Sequence, residues 1–280
     1  MSTQTATHQP PRPVPDVQAH FGLAGAPFTR EISTQKMWRQ PGLDDLVRDL
    51  EATVSARDSA AVIAPSGAGK TVLIRRLVDS LPEARYRVAD IKVTSVGNRD
   101  LYRSLARALG IEPSGTWPAL LESLQTHAHA LATTEARRTV LIIDEAQDMR
   151  PQVLATLRML TNFRLDSELL ISLILVGDSG LELLLHRPDM EALRSRLACV
   201  IRIRLLSRSE TRSYIDHRLD IVGARSRVLD DSAVEAVYDF TRGNIRAIDH
   251  LCRTALDLAA RSTVDTIDAG TITAARKKLP

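Results

Sequence analysis

Only two cysteines occur in the 280 residues, Cys199 and Cys252, and neither stands at metal-ligand spacing from the other or from any of the seven histidines. A disulfide-stapled miniprotein is excluded, and the two thiols read as buried and free. Long apolar runs are missing as well: the longest uninterrupted stretches hold about half a dozen residues, against the roughly 20 that a membrane-spanning helix needs. The N-terminus has no basic segment leading into an apolar one, so nothing in it directs export and a cytoplasmic location is expected. Lysine is scarce, supplying five of the 37 cations. Net charge is small, +3, and the whole excess lies beyond Cys199, where 14 cations face 11 anions. Bulk charge therefore neither demands nor excludes a nucleic-acid partner.

What is present is the composition of a globular chain, 44% hydrophobic and 25% charged, long enough for one large domain or two small ones. Residues 1–20, with the run QPPRPVP, hold too few apolar groups to offset ordering entropy and read as a flexible arm. Leu43, Leu46, Val47, Leu50 and Val54 recur at helical spacing. Short apolar strands then alternate with helices: strands at 59–63, 86–93, 139–143, 170–176 and 199–203, helices at 71–80, 100–109, 117–131, 151–161 and 181–185. That alternation is the mark of an α/β domain whose parallel sheet is covered on both faces. Beyond Leu205 only helices are expected, at 209–222, 232–241 and 245–261, with a last one opened by Asp268. Ser207 and Asp231 stand where N-caps belong, Gly223 and Gly243 where helices stop. The expected domains are 21–205, α/β, and 206–280, a small all-α unit.

The phrase AVIAPSGAGKT, Ala61 to Thr71, is a strand, a glycine-rich turn and a Lys-Thr pair opening a helix. Backbone N–H groups across Ser66, Gly67, Ala68 and Gly69 suit a phosphate cradle, Lys70 reaches the terminal phosphoryl oxygens of a nucleotide, and Thr71 ligates Mg²⁺. Ala64 replaces the first glycine of the usual pattern, which is tolerable while its φ stays negative. VLIIDEAQD ends a buried strand in two carboxylates 74 residues beyond Lys70. There Asp144 is placed to hold Mg²⁺ through water and Glu145 to deprotonate an attacking water. Acidic strand ends are commonplace alone; combined with the loop they point to ATP hydrolysis.

With these motifs the chain resembles the AAA+ ATPases, P-loop proteins with a parallel sheet followed by a small helical lid. The phrases FGLAGAPF, DEAQDMRPQVLATLRMLTNF, LVGDSGLELLL and GNIRAIDHLC are similar to the ExeA-like group and to the TniB and TnsC-type helper ATPases of DNA transposition. The resemblance implies that Asp178 takes the place of sensor 1, where Asn or Gln is more familiar. It implies that Arg196, with Arg194 in reserve, is the arginine finger aimed at a neighbouring subunit, and that Arg246 is sensor 2. Each of these arginines could also be a solvated surface cation.

Arg99, Arg103 and Arg107 recur every four residues and, with Lys92, form a basic stripe that suits a DNA backbone or, equally, a solvated helix face. No aromatic interleaving or zinc-finger spacing supports base reading. His127 and His129 read as surface residues, Trp38 and Trp117 as core or cap. The function expected is an ATP-dependent regulator that forms a homo-oligomeric ring or filament on duplex DNA with little sequence preference and recruits a transposase or targeting protein. The ExeA-type secretion ATPases carry a membrane segment and an envelope-binding domain after the ATPase, which this sequence does not show. A cytoplasmic assembly ATPase acting on protein partners without DNA, and a nucleotide-dependent switch, are the alternatives.

Overall fold

A computed structural model describes residues 16–29, 32, 36–92, 97–161, 169–224 and 227–279. Fifteen residues of the arm expected at 1–20 lie outside them. The chain divides into two compact units, Ser33–Leu205 and a second formed by Leu206–Pro280 with the segment up to Ile32.

In the first unit α2 (Leu43–Ser55) leads to β1 (Ser59–Ile63), α3 (Lys70–Ser80), β2 (Tyr86–Lys92), α4 (Asn98–Ala108), α5 (Trp117–Thr134) and β3 (Arg138–Asp144). Then come α6 (Pro151–Thr156), α7 (Arg158–Thr161), β4 (Ile171–Gly177), α8 (Ser179–Leu185), α9 (Glu191–Arg194) and β5 (Leu197–Arg202). All strand pairs are parallel, in the order β2-β3-β4-β1-β5. Alternation along the strands builds two cores. Ala61, Leu141, Ile143, Leu173 and Leu175 face α4, α5 and α8, where Leu101, Leu105, Leu124 and Leu181 are buried with them. Ala60, Val62, Val140, Ile142 and Ile174 face α2 and α3, against Leu50, Val54, Leu73 and Leu77. Covering both faces is what makes these strands read as continuous apolar runs.

The helix expected over 151–161 is broken. The Thr156 carbonyl accepts the Tyr102 hydroxyl at 3.0 Å, while Leu160 N–H donates to Leu157, so the regular ladder stops between α6 and α7. Burial pushes the Tyr102 phenol up to about 12, keeping it a donor. Its ring lies 5.6 Å from that of Trp117, which is partly buried against the same core.

The second unit contains α1 (Val17–Phe21), α10 (Arg208–Asp220), α11 (Asp231–Thr241), α12 (Ile245–Arg261) and α13 (Ala269–Arg276). Ser207 caps α10 through a reciprocal capping box with Glu210. The cap of α11 is Asp230 and not Asp231: the Asp230 carboxylate accepts from Ala233 N–H at 2.8 Å, and Asp231, one residue inside the helix, pairs with Arg212 and Arg227. Gly243 follows α11 with φ +79°, and a Cβ there would fall 1.9 Å from the Leu206 carbonyl oxygen. Only glycine fits that approach.

The segment FGLAGAPF packs in this helical unit. Ala24 N–H donates to Val222 O at 2.8 Å, and the Arg218 guanidinium donates to Pro27 O at 2.6 Å and Thr29 O at 2.5 Å. Arg218 is buried, as are its neighbours Tyr214, Asp249 and Cys252. Its Nη1 donates to the Tyr214 hydroxyl, which donates to Asp249, both at 2.7 Å. Burial raises the Cys252 thiol well above its usual range. Cys199 is half-buried, its sulfur 3.3 Å from the Thr53 hydroxyl. Among the described residues no helix is long and apolar enough to cross a membrane, and no cluster of His, Cys, Asp and Glu has metal-site geometry.

Candidate nucleotide site

The residues of the glycine-rich turn and the acidic strand end meet at the C-terminal edge of the sheet. β1 delivers the chain to Ala64, whose N–H donates to Gly177 O at the end of β4, 3.0 Å away. Ala64 is not among the positive-φ residues, so alanine is unstrained there, whereas Gly67 at φ +81° and Gly69 at φ +103° use glycine's freedom. Gly69 precedes α3 with no side-chain cap, so the helix start presents its N–H groups without a competing side-chain acceptor. Lys70 is buried and its Nζ donates to Ala64 O at 3.0 Å. Such a set fits a phosphate chain: uncapped amides, left-handed glycines and an ammonium at one loop.

On the other side of β4, Asp144 ends β3 half-buried. Desolvation pushes its carboxyl above the usual value, against the hydrogen bond it accepts from Glu145 N–H and the nearby charges of Lys70 and Lys92. A raised value means that the ionised form is less favourable in the fold than in the open chain, so falling pH relieves the penalty. A carboxylate held this way, near Lys70, has the donor chemistry for Mg²⁺, with Thr71 the second oxygen.

Glu145 sits in the left-handed region, φ +55° and ψ +40°, uncommon for a residue with a side chain. Its Oε2 accepts from the Gln147 amide at 2.7 Å, and the other end of that amide accepts from Asp178 N–H at 3.3 Å. The Asp178 carboxylate caps α8 by accepting from Gly180 N–H at 2.8 Å. The sequence offered Asp178 as sensor 1 and not as this cap; the part of Gln147 was not legible either, although a polar residue two places after the paired acids was the available signal.

Arg196 and Arg194 lie elsewhere. Leu197 pairs with Ser59 at the start of β1, while the phosphate turn follows Ile63 at its end, about 13 Å of strand away. Arg194 is exposed and Arg196 half-buried beside Ser195 and Ala198. Arg246 is in the helical unit, exposed on the first turn of α12, whose N-cap Asn244 accepts from Ala247 N–H. Lys92 is exposed and stands in register with Asp144, at the acidic strand end as well as before α4. On α4, Arg99 and Arg107 are exposed and Arg103 half-buried, opposite the buried Leu101, Tyr102 and Leu105. His127 and His129 are half-buried on α5.

The strand order, the turn leading into α3 and the carboxylates across β4 define a P-loop ATPase unit. Residues 53–185 match the family model described as AAA domain, and the parallel sheet flanked by helices, followed by a small all-α unit, has the AAA+ fold. Over 240 residues it is 29% identical to the general secretion pathway protein A of Aeromonas hydrophila, covering 84% of this chain and 43% of that protein. The chain thus spans less than half the length of that relative. Solved structures share the fold: Cdc6p from Pyrobaculum aerophilum, with TM-score 0.68, 17% identity, 90% of this chain and 70% of that one. The Aeropyrum pernix ORC2 protein in its ADPNP-ADP complexes gives TM-score 0.67 and 16% identity over the same shares. The Thermotoga maritima RuvB branch migration motor gives 0.56 and 20%, covering 90% of this chain and 73% of that one.

Proposed function

We propose that this chain is an ATP-driven assembly factor: ATP joins copies of it, the assembled form acts on a protein partner, and hydrolysis takes the assembly apart. Similarity to a secretion-pathway protein across 84% of the chain carries the choice of a protein partner. Within each copy, Ser66 to Thr71 hold the phosphates, with Lys70 offering its ammonium to the terminal phosphoryl oxygens. Asp144 and Thr71 would hold Mg²⁺, which offsets phosphate charge when bound. Glu145 takes a proton from the attacking water, and Asp178 stands at the tip of the strand between loop and acids. Arg246 keeps the sensor 2 role that the resemblance implies.

Arg196 supports the assembly step. A group at the opposite end of β1 from the phosphate turn is out of reach of its own subunit's phosphates, and suits a neighbour's. Arg196→Ala is expected to bind ATP with wild-type affinity and lose turnover by about 10³-fold or more, the range of trans-acting arginines. Mixing Arg196→Ala with Lys70→Ala should restore part of the activity, because one variant keeps the phosphate loop and the other the arginine. A mixture as inactive as its components would assign the arginine to its own subunit, and self-association unchanged by ATP in sedimentation would overturn the assembly reading.

A second reading has its own support: the basic face of α4 and the fold shared with an Aeropyrum pernix ORC1 protein solved in complex with DNA, at TM-score 0.66 and 16% identity. Under it the assembled chain follows duplex DNA through Lys92, Arg99 and Arg103 and regulates a transposase or targeting protein. Phosphate contacts make affinity fall with salt on every sequence, with a log-log slope near −0.9 per contact. Arg99→Ala combined with Arg103→Ala should flatten that slope by about two contacts per bound subunit. ATPase activity unmoved by duplex DNA, with no salt-dependent binding, would leave the protein-partner reading standing alone.

A further inference from the structure

The Gln147 side chain lies outside the phosphate turn yet links two strand ends. It follows the paired acids by two residues, in the short 3-10 turn Ala146–Asp148, and its two ends bind two different strands' termini. The nitrogen end donates to Glu145 Oε2 at 2.7 Å, on the β3 side, and the oxygen end accepts from Asp178 N–H at 3.3 Å, on the β4 side. The orientation of the amide is fixed by its partners, since a carboxylate only accepts and a backbone N–H only donates. Space is fixed too: a Cβ at Gly177 would stand 2.7 Å from Gln147 Oε1 and from Leu181 Cβ, and one at Gly180 3.3 Å from Gln147 Cβ. Glycine on β4's end and on the first turn of α8 is therefore what admits the amide.

The residue it holds needs holding. Glu145 is in the left-handed region, where a side-chain-bearing residue is strained and persists only when its surroundings fix it. Its backbone is pinned on both sides, N–H to the Asp144 carboxylate at 2.9 Å and carbonyl to Asp148 N–H at 2.9 Å. Its side chain is pinned by Gln147 through one oxygen, which leaves Oε1 to accept from water. We propose that Gln147 is a positioning residue for ATP hydrolysis: it aims the Glu145 carboxylate and ties that aim to the end of β4, so that a shift at the Asp178 peptide is transmitted to the base. The proposal rests on the reading of Glu145 as the base.

The test uses the full chain and ATP. Gln147→Leu keeps the bulk and removes both hydrogen bonds, and is expected to lower kcat by about tenfold or more with KM within about twofold, the signature of misplaced chemistry and not of lost binding. Gln147→Glu keeps the shape but sets a carboxylate, which only accepts, against the Glu145 carboxylate, and should lose kcat at least as far as Gln147→Leu. Gly177→Ala, which displaces the amide from the other strand, should reproduce the kcat loss in chain that still binds ATP. If Gln147→Leu and Gln147→Glu both turned over within twofold of wild type while Glu145→Gln was inactive, the positioning role would be overturned. Should Glu145→Gln itself remain active, the base reading fails first, and the proposal with it.

Discussion

Glu145→Gln is expected to bind ATP with near-wild-type affinity and hydrolyse it about 10²- to 10⁴-fold more slowly, the range lost when a general base is removed. Glutamine preserves the volume and can still meet the Gln147 amide with its own carbonyl oxygen, so the fold around the turn is retained. What disappears is a group able to take a proton. The assembled state should therefore accumulate, because hydrolysis is the step that releases it. Single-turnover hydrolysis together with sedimentation in ATP checks both halves. Turnover at the wild-type rate would move the base to another residue; slow turnover without trapped assemblies would separate hydrolysis from disassembly.

The largest stability effect is expected in the helical unit, at Arg218. Its guanidinium is almost fully buried and satisfies Pro27 O, Thr29 O and the Tyr214 hydroxyl at once, with Asp249 3.8 Å away. Arg218→Ala removes the cation beside the buried Asp249 carboxylate. Breaking such a pair costs about 3–5 kcal/mol. Two carbonyls of the 27–29 segment lose their donors in the same step, so that segment should detach before the helices melt. Denaturant unfolding gives the loss, and proteolysis near Pro27 at low denaturant gives the order. Combining it with Asp249→Asn should recover part of the deficit, because the buried negative charge goes with the substitution; a double variant as unstable as the sum of the two singles would assign the loss to packing instead.

Most of the first unit could be read from residue order. Strand positions 59–63 and helix positions 245–261 coincide with the structure, and apolar runs bounded by turn residues located the other strands to within about two residues. The phosphate turn and the acids were legible because their chemistry is local: uncapped amides, a lysine and a strand end lie within a few residues of one another. Three things were not. The break between α6 and α7 depends on a hydroxyl 54 residues away in Tyr102. The cap of α11 turned on which of two adjacent aspartates is held outside the helix, and Asp230, whose N–H is bound to Ile267 O, is the one so held. Membership of FGLAGAPF in the helical unit depends on Arg218, 191 residues beyond Pro27. Each was decided by a long-range partner, which periodicity does not encode.

The bond from Lys70 Nζ to Ala64 O has a bearing on affinity as well as on charge. A lysine side chain free in solvent forfeits up to about 2 kcal/mol of rotamer freedom when it is immobilised on a ligand. Here folding has already confined it, so an arriving phosphate meets an ordered ammonium and exchanges one oxygen acceptor for another. The enthalpy of that exchange is small, since a bond is lost for each one formed. Discrimination then comes from the number of phosphoryl groups that reach the loop amides together, so a lone phosphate ion should gain little from the lysine, and a chain of three should gain from every amide along the turn.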